Sequence, residues 1–99
     1  MTSDLRDFEW DADKSLANLE KHGIDFETAK VLWDDPHALT GPGKKNLEER
    51  FMTVGRLGNK LWSAIHTYRD GRIRIISVRR SRHGEIAAYE TAIYHRTKL

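Results

Sequence analysis

Residues 50–80 read RFMTVGRLGNKLWSAIHTYRDGRIRIISVRR. Phe51–Leu57, Leu61–Tyr68 and Arg72–Arg80 each follow a period of two, the pattern of half-buried strands. Gly58-Asn59 and Asp70-Gly71 separate them, and both pairs tolerate positive φ and so close two-residue hairpins. Three consecutive antiparallel strands follow from that spacing. With two residues in each loop, Thr67 opposes Arg74 and Ile65 opposes Ile76 in one hairpin. Arg50 opposes Thr67 and Met52 opposes Ile65 in the other. One face then carries Met52, Val54, Ile65, Ile76 and Val78, with Arg50 and Arg74 at one end and Leu61, Arg56 and Arg80 at the other. The opposite face carries Phe51, His66, Ile75, Trp62, Tyr68, Ser77 and Arg79. A slip of one residue exchanges the faces within a strand.

Upstream, Phe8-Glu9-Trp10 reads as a short strand. Asp11 is placed to cap a helix whose Ala12, Leu16 and Leu19 share one face. Gly23 after His22 reads as a left-handed C-cap. Asp25 opens a second helix with Phe26, Ala29, Leu32 and Trp33 as its apolar stripe, stopped by Asp34-Asp35-Pro36. Gly41-Pro42-Gly43-Lys44-Lys45 is a loop by composition, and His37–Thr40 suits a short edge strand. Beyond Ser81 and Arg82 a last helix buries Ile86, Tyr89 and Ile93, with Gly84 weakening its first turn. The order β-α-α-β-β-β-α is that of an α+β domain with an antiparallel sheet packed by helices.

The chain has 99 residues, so one domain spanning 1–99 is expected, and its 38% hydrophobic content is too high for a disordered chain. It has no cysteine, which excludes disulfides and thiolate metal sites and suits a reducing compartment. The start, MTSDLRDFEW, lacks the cationic and apolar regions of a signal peptide, and no apolar run approaches the ~20 residues of a membrane span. A cytoplasmic protein with no membrane partner is the expectation.

Charge is divided unevenly. Residues 50–99 hold 11 Lys/Arg against 3 Asp/Glu, a net of +8, while residues 1–49 hold 6 against 12, a net of −6. A cationic sheet beside an acidic helical half is suited to a polyanion held on one surface. Arg69, Arg72, Arg74, Arg79, Arg80 and Arg82 fall within fourteen residues. Arginine inside a sheet needs an anion or a carboxylate to meet it. Pairing with Glu48, Glu49 or the acidic half is one answer, and phosphate, gripped in a bidentate fork, is the other.

No P-loop, G-x-G-x-x-G or H-E-x-x-H motif is present, and His22, His37, His66, His83 and His95 lack metal-ligand spacing, so neither a metal nor a cofactor is expected. RNA cleavage without a metal needs a base for the 2′-hydroxyl, cations for the phosphorane and an acid for the leaving oxygen. His66 on the central strand suits acid or base, the alternative being a half-buried residue bonded to a neighbour. Glu49 suits the base, and Arg50, Arg74 and Arg79 the electrostatics. Trp62, Tyr68 and Tyr89 suit base stacking, although aromatic residues at such spacings are more often core. Lys21-His22 suits phosphate, or only the dipole of its helix.

FEWD, NLEKHGIDFETAKVLWDDP, ERFMTVGRL, HTYRDGRIRIISVRR and AAYE together resemble the BrnT-type toxins of bacterial toxin–antitoxin modules, over about residues 8–90. The resemblance implies a RelE-like fold and a ribonuclease that arrests translation. It also implies neutralisation by a BrnA-like ribbon-helix-helix antitoxin, expected as a heterotetramer, which contacts operator DNA and represses the operon with the toxin. By motif it points to Lys21, His22, Glu49, Arg50, His66, Arg74, Arg79, Arg80 and Tyr89. Val78, where alanine is commoner, and the less basic HGEIA depart from the pattern. A non-catalytic binding module, acting as the structural half of a repressor, and a housekeeping RNA-binding domain are the competing functions.

Overall fold

Both hairpins close as the turn residues dictate. Asp70 and Gly71 lie at φ 52° and 78°, and Gly58 at φ 66°. In the computed structural model, which describes residues 6–44 and 48–98, these turns join β3 (Phe51–Leu57), β4 (Lys60–Arg69) and β5 (Arg72–Arg80). Before them come β1 (Phe8–Glu9), α1 (Ala12–His22), α2 (Phe26–Ala29), a 3-10 turn (Lys30–Asp34) and β2 (Leu39–Pro42); α3 (His83–Lys98) follows. The five strands form one sheet in the order β1-β5-β4-β3-β2, with β1 parallel to β5 and the other pairs antiparallel. The mixed α+β fold and its antiparallel core are those expected. The edge strand β2 runs two residues later than His37–Thr40, taking Gly41 and Pro42 out of the expected loop; Lys45 of that loop lies outside the described residues.

The expected register holds up to one point. Thr67 opposes Arg74, and Met52 opposes Ile65. Then β5 bulges: His66 opposes Ile75, whereas Ile65 opposes Ser77, not Ile76. Ile76 is the extra residue, and an extra residue reverses which face each later side chain takes. Val78 therefore joins the face of Trp62, Ala64 and His66, while Ser77 and Arg79 join that of Met52, Ile65 and Arg74. The face assignments of Ser77, Val78, Arg79 and Arg80 made from a regular hairpin are thus corrected.

One face packs under α1, α2 and the 3-10 turn. Its core joins Ile24, Phe26, Ala29 and Leu32 to Trp62, Ala64, Ile75 and Val78. Close approach is needed here: a Cβ on Gly55 would lie 2.6 Å from the Leu32 carbonyl oxygen. Helix α1 begins as expected, with Asp11 accepting from the backbone N–H of Asp13 and Lys14, and ends at Gly23 with φ 82°. Its buried face is not the expected one. Leu16 and Leu19 are 63% and 44% exposed, and Ser15 and Asn18 are buried instead. Asn18 Nδ2 donates to the carbonyls of Ile24 and Val78, both at 2.8 Å, and its Oδ1 accepts from the Val78 N–H at 3.1 Å. Since β1 pairs only with Ile73 and Arg74, the Asn18 amide completes the edge of β5 where β1 is absent.

On the other face α3 lays Ile86, Tyr89 and Ile93 on Met52, Val54 and Leu61.

Candidate functional site

Beside α3, the second sheet face holds a hollow of about 380 Å³. Arg50, Met52, Ile65, Ser77 and Arg79 form its floor and sides, and Lys44, Arg82 and Glu85 its rim. The β5 bulge is what brings Arg79 here. Without the extra residue Ile76, Arg79 would face the helix-covered core.

Glu85 organises the hollow. Arg79 Nη1 and Nη2 donate to its two carboxylate oxygens, each at 2.8 Å. Ser63 Oγ and the Arg82 backbone N–H also donate to Glu85, at 2.8 and 2.9 Å. The last bond is the backward half of a capping box, so the residue that holds Arg79 also starts α3. The Arg79 guanidinium keeps the Glu85 carboxyl down at about 2, against burial. The same pairing raises the Arg79 pKa. Arg79 Nη1 further donates to the Arg80 carbonyl at 3.2 Å. A guanidinium has five N–H donors, and three are engaged in this way. Among the described residues nothing meets the Nε–H and the second Nη2–H, which form a lateral fork for two oxygens of an anion. Arg50 adds a buried Nε with no hydrogen-bond partner among the described residues.

The expected site residues divide around this hollow. Arg50 and Arg79 line it. Glu49 lies exposed at the entrance to β3, its carbonyl accepting from Thr67 Oγ1 at 2.8 Å. Among the described residues its carboxylate has no partner. Arg74 is on the same sheet face but outside the lining, donating to Glu9 at 3.2 Å. Arg80 is on the opposite face, its guanidinium 5.5 Å from the Trp62 ring centroid. Lys21 and His22 occupy the last turn of α1, away from the hollow's lining.

His66 and Tyr89 lie apart from the expected surface. His66 is fully buried on the α1/α2 face, bonded through Nε2 to Thr53 Oγ1 at 2.8 Å and packed on Trp33 with centroids 5.2 Å apart. Burial pushes its pKa down to about 4, and the sheet separates it from Arg79. Tyr89 is 1% exposed. Its hydroxyl donates to Asp35 Oδ2 at 2.6 Å. Burial, then that carboxylate, raises its pKa. Burial also works against the Asp35 charge, but bonds from Tyr89, His37 and Arg56 reverse the effect and hold Asp35 low. Trp62 is 9% exposed. Tyr68, the third candidate for stacking, is 52% exposed on the helix-covered side.

Sequence reasoning missed Lys44, Ser77 and Glu85. Glu85 carried a signal: it is one of only three acidic residues after position 49, three residues beyond Arg82 at a helix start. Among the described residues no group of three or more His, Asp or Glu side chains converges as metal ligands would. No helix among them is long and apolar enough to cross a membrane.

A family model described as the ribonuclease toxin BrnT of type II toxin–antitoxin systems matches residues 10–85. No curated protein matches the chain.

Proposed function

The chain belongs to the BrnT family of ribonuclease toxins of type II toxin–antitoxin systems, and we propose that it cuts RNA at the hollow beside α3. The family implies an RNA substrate and an antitoxin partner. The scissile phosphate sits against the Arg79 lateral fork and beside Arg50, with Arg82 and Lys44 contributing further positive charge. Glu49 takes the proton of the 2′-hydroxyl. The 2′-oxygen attacks phosphorus, the P–O5′ bond breaks, and water from the open face protonates the leaving oxygen. The products are a 2′,3′-cyclic phosphate and a 5′-hydroxyl. The arginines stabilise the charge that develops on the phosphorane. Chelators leave this reaction unchanged. What supports the reading is that two arginines, Arg50 and Arg79, line one hollow, and that Arg79 keeps donors unmet among the described residues after its pairing with Glu85.

In this reading Arg74 is held by Glu9 and supports the surface field, while Arg80, Lys21 and His22 lie outside the reaction. His66 and Tyr89 serve the fold. The protein acts in the cytoplasm as one domain, arrests translation, and is neutralised by a BrnA-like ribbon-helix-helix antitoxin. The two form a heterotetramer and repress their operon, with operator DNA contacted through the antitoxin.

The test is cleavage of purified RNA by wild type, Arg79→Ala, Arg50→Ala and His66→Gln, with EDTA present and absent. Each arginine variant is expected to lose at least tenfold, and His66→Gln to stay within about threefold, with EDTA without effect. Full cleavage by Arg79→Ala overturns the assignment. RNA binding by wild type without any cleavage makes the protein a binding module.

A further inference from the structure

A second concavity adjoins the hollow. It is a groove of about 290 Å³ between β2 and α3, walled by Leu39, Pro42, Val54 and Ala88. Met52 and Glu85 border both the groove and the hollow, so the two are continuous. Two glycines open the groove: Gly41 in β2 and Gly84 in the first turn of α3. Neither has a positive φ, so the backbone does not require glycine at either place. A Cβ at each would meet nothing within 4 Å. Glycine weakens a strand or a helix interior. What the two glycines provide is space, and both provide it at the same groove.

We propose that this groove receives an apolar side chain of the antitoxin, from a segment whose acidic residue, a few positions along, enters the adjoining cationic hollow. The proposal rests on the toxin reading above. The lining chooses a protein over a nucleobase. Among the described residues the wall is aliphatic, with no aromatic ring to stack on. Its polar side chains are already bonded: Thr40 Oγ1 to Thr53 Oγ1 at 2.7 Å, and Glu85 to Arg79, Ser63 and Arg82. A base placed there would leave its polar edges unmet, whereas an aliphatic or aromatic side chain loses nothing. Charge fixes the neighbour. Among the described residues, Lys44, Arg50, Arg79 and Arg82 against Glu85 leave the hollow cationic, complementary to a carboxylate. A segment spanning both would cover the proposed phosphate site while taking its anchorage from the groove.

The experiment fills the groove. Gly41→Leu, Gly84→Leu and Ala88→Leu are made separately and checked for fold by near-UV circular dichroism. Affinity for the purified cognate antitoxin is measured by calorimetry, and RNA cleavage is measured without it. Each filled variant is expected to bind the antitoxin at least tenfold more weakly and to cleave RNA within about twofold of wild type. Unchanged antitoxin affinity in the folded variants overturns the proposal. Lost cleavage, with or without lost affinity, overturns it too, because the groove would then belong to the RNA site. The three positions lie on two elements, so one misfolded variant leaves the others to decide. Arg79→Ala in parallel reports on the RNA site: if it cleaves like wild type that site is wrong, while the groove variants still answer by affinity.

Discussion

His66 shows what a side chain's neighbours do to its chemistry. In the sequence it sits in an alternating strand, which fixes that it belongs to β4 and leaves open which face the helices cover. Three aromatic rings and Thr53 answer that question. The imidazole loses its hydration on folding, so its pKa falls from 6.5 to about 4. Between those values the unfolded chain holds a proton that the folded protein does not. Stability therefore rises with pH through this window, is complete above 6.5 and is lost as pH falls toward 4. The full difference is on the order of 3 kcal/mol. His66→Gln keeps a donor or acceptor for Thr53 but does not titrate. Urea melts at pH 4.5 and 7.0 are expected to show that the wild type loses more stability than the variant on acidification, by about 2–3 kcal/mol. An equal loss in both proteins would return His66 to the list of exposed candidates. Asn18 taught the converse lesson. The sequence reading passed over it, since no spacing rule reveals that a strand two residues long leaves the Val78 backbone for it to satisfy.

At the level of elements, strands and caps were legible because each rests on local chemistry: alternation for β3 to β5, the Asp11 and Asp25 carboxylates for helix starts, and positive φ for the hairpin turns. The bulge was not, since Arg72–Arg80 alternates well enough on both sides of Ile76 to suit a regular ladder. That single residue decides whether Arg79 faces the hollow or the core, so the site was legible in its residue types and not in its assembly. Two glycines mark the difference between a packed and an open contact. Gly55 lies under the 3-10 turn, and its added Cβ would press on the Leu32 backbone at 2.6 Å. Gly84 has open space. Gly55→Ala is expected to destabilise by about 1–3 kcal/mol, because the contact is with backbone that cannot rotate away. Gly84→Ala is expected to stabilise by about 0.5–1 kcal/mol through helix propensity alone. Opposite shifts in thermal midpoint are the check, and a destabilising Gly84→Ala would mean that the first turn of α3 is not the helix described.

Across the whole molecule, the division of charge read from composition becomes a division of surfaces, modified by pairing. Acidic residues of the first half reach across to the basic second half: Glu9 meets Arg74 at 3.2 Å and Arg72 at 3.7 Å, and Glu48 meets Arg69 at 3.4 Å. These pairs lower the field over part of the sheet and leave the hollow's cations the more exposed to a polyanion. Binding of single-stranded RNA there should release counterions in proportion to the phosphates met, with log K falling by about 0.7 per contact for each unit of log salt. A 2′-O-methyl oligonucleotide, which cannot be cut, isolates binding. Titrated from low to moderate salt, Arg82→Ala and Lys44→Ala are each expected to reduce the slope by about 0.7. Substituting Arg72, already near Glu9 and outside the hollow's lining, should leave the slope nearly unchanged. Equal effects at all three positions would mean that RNA reads the overall charge of the second half, and that the hollow has no privileged part in holding it.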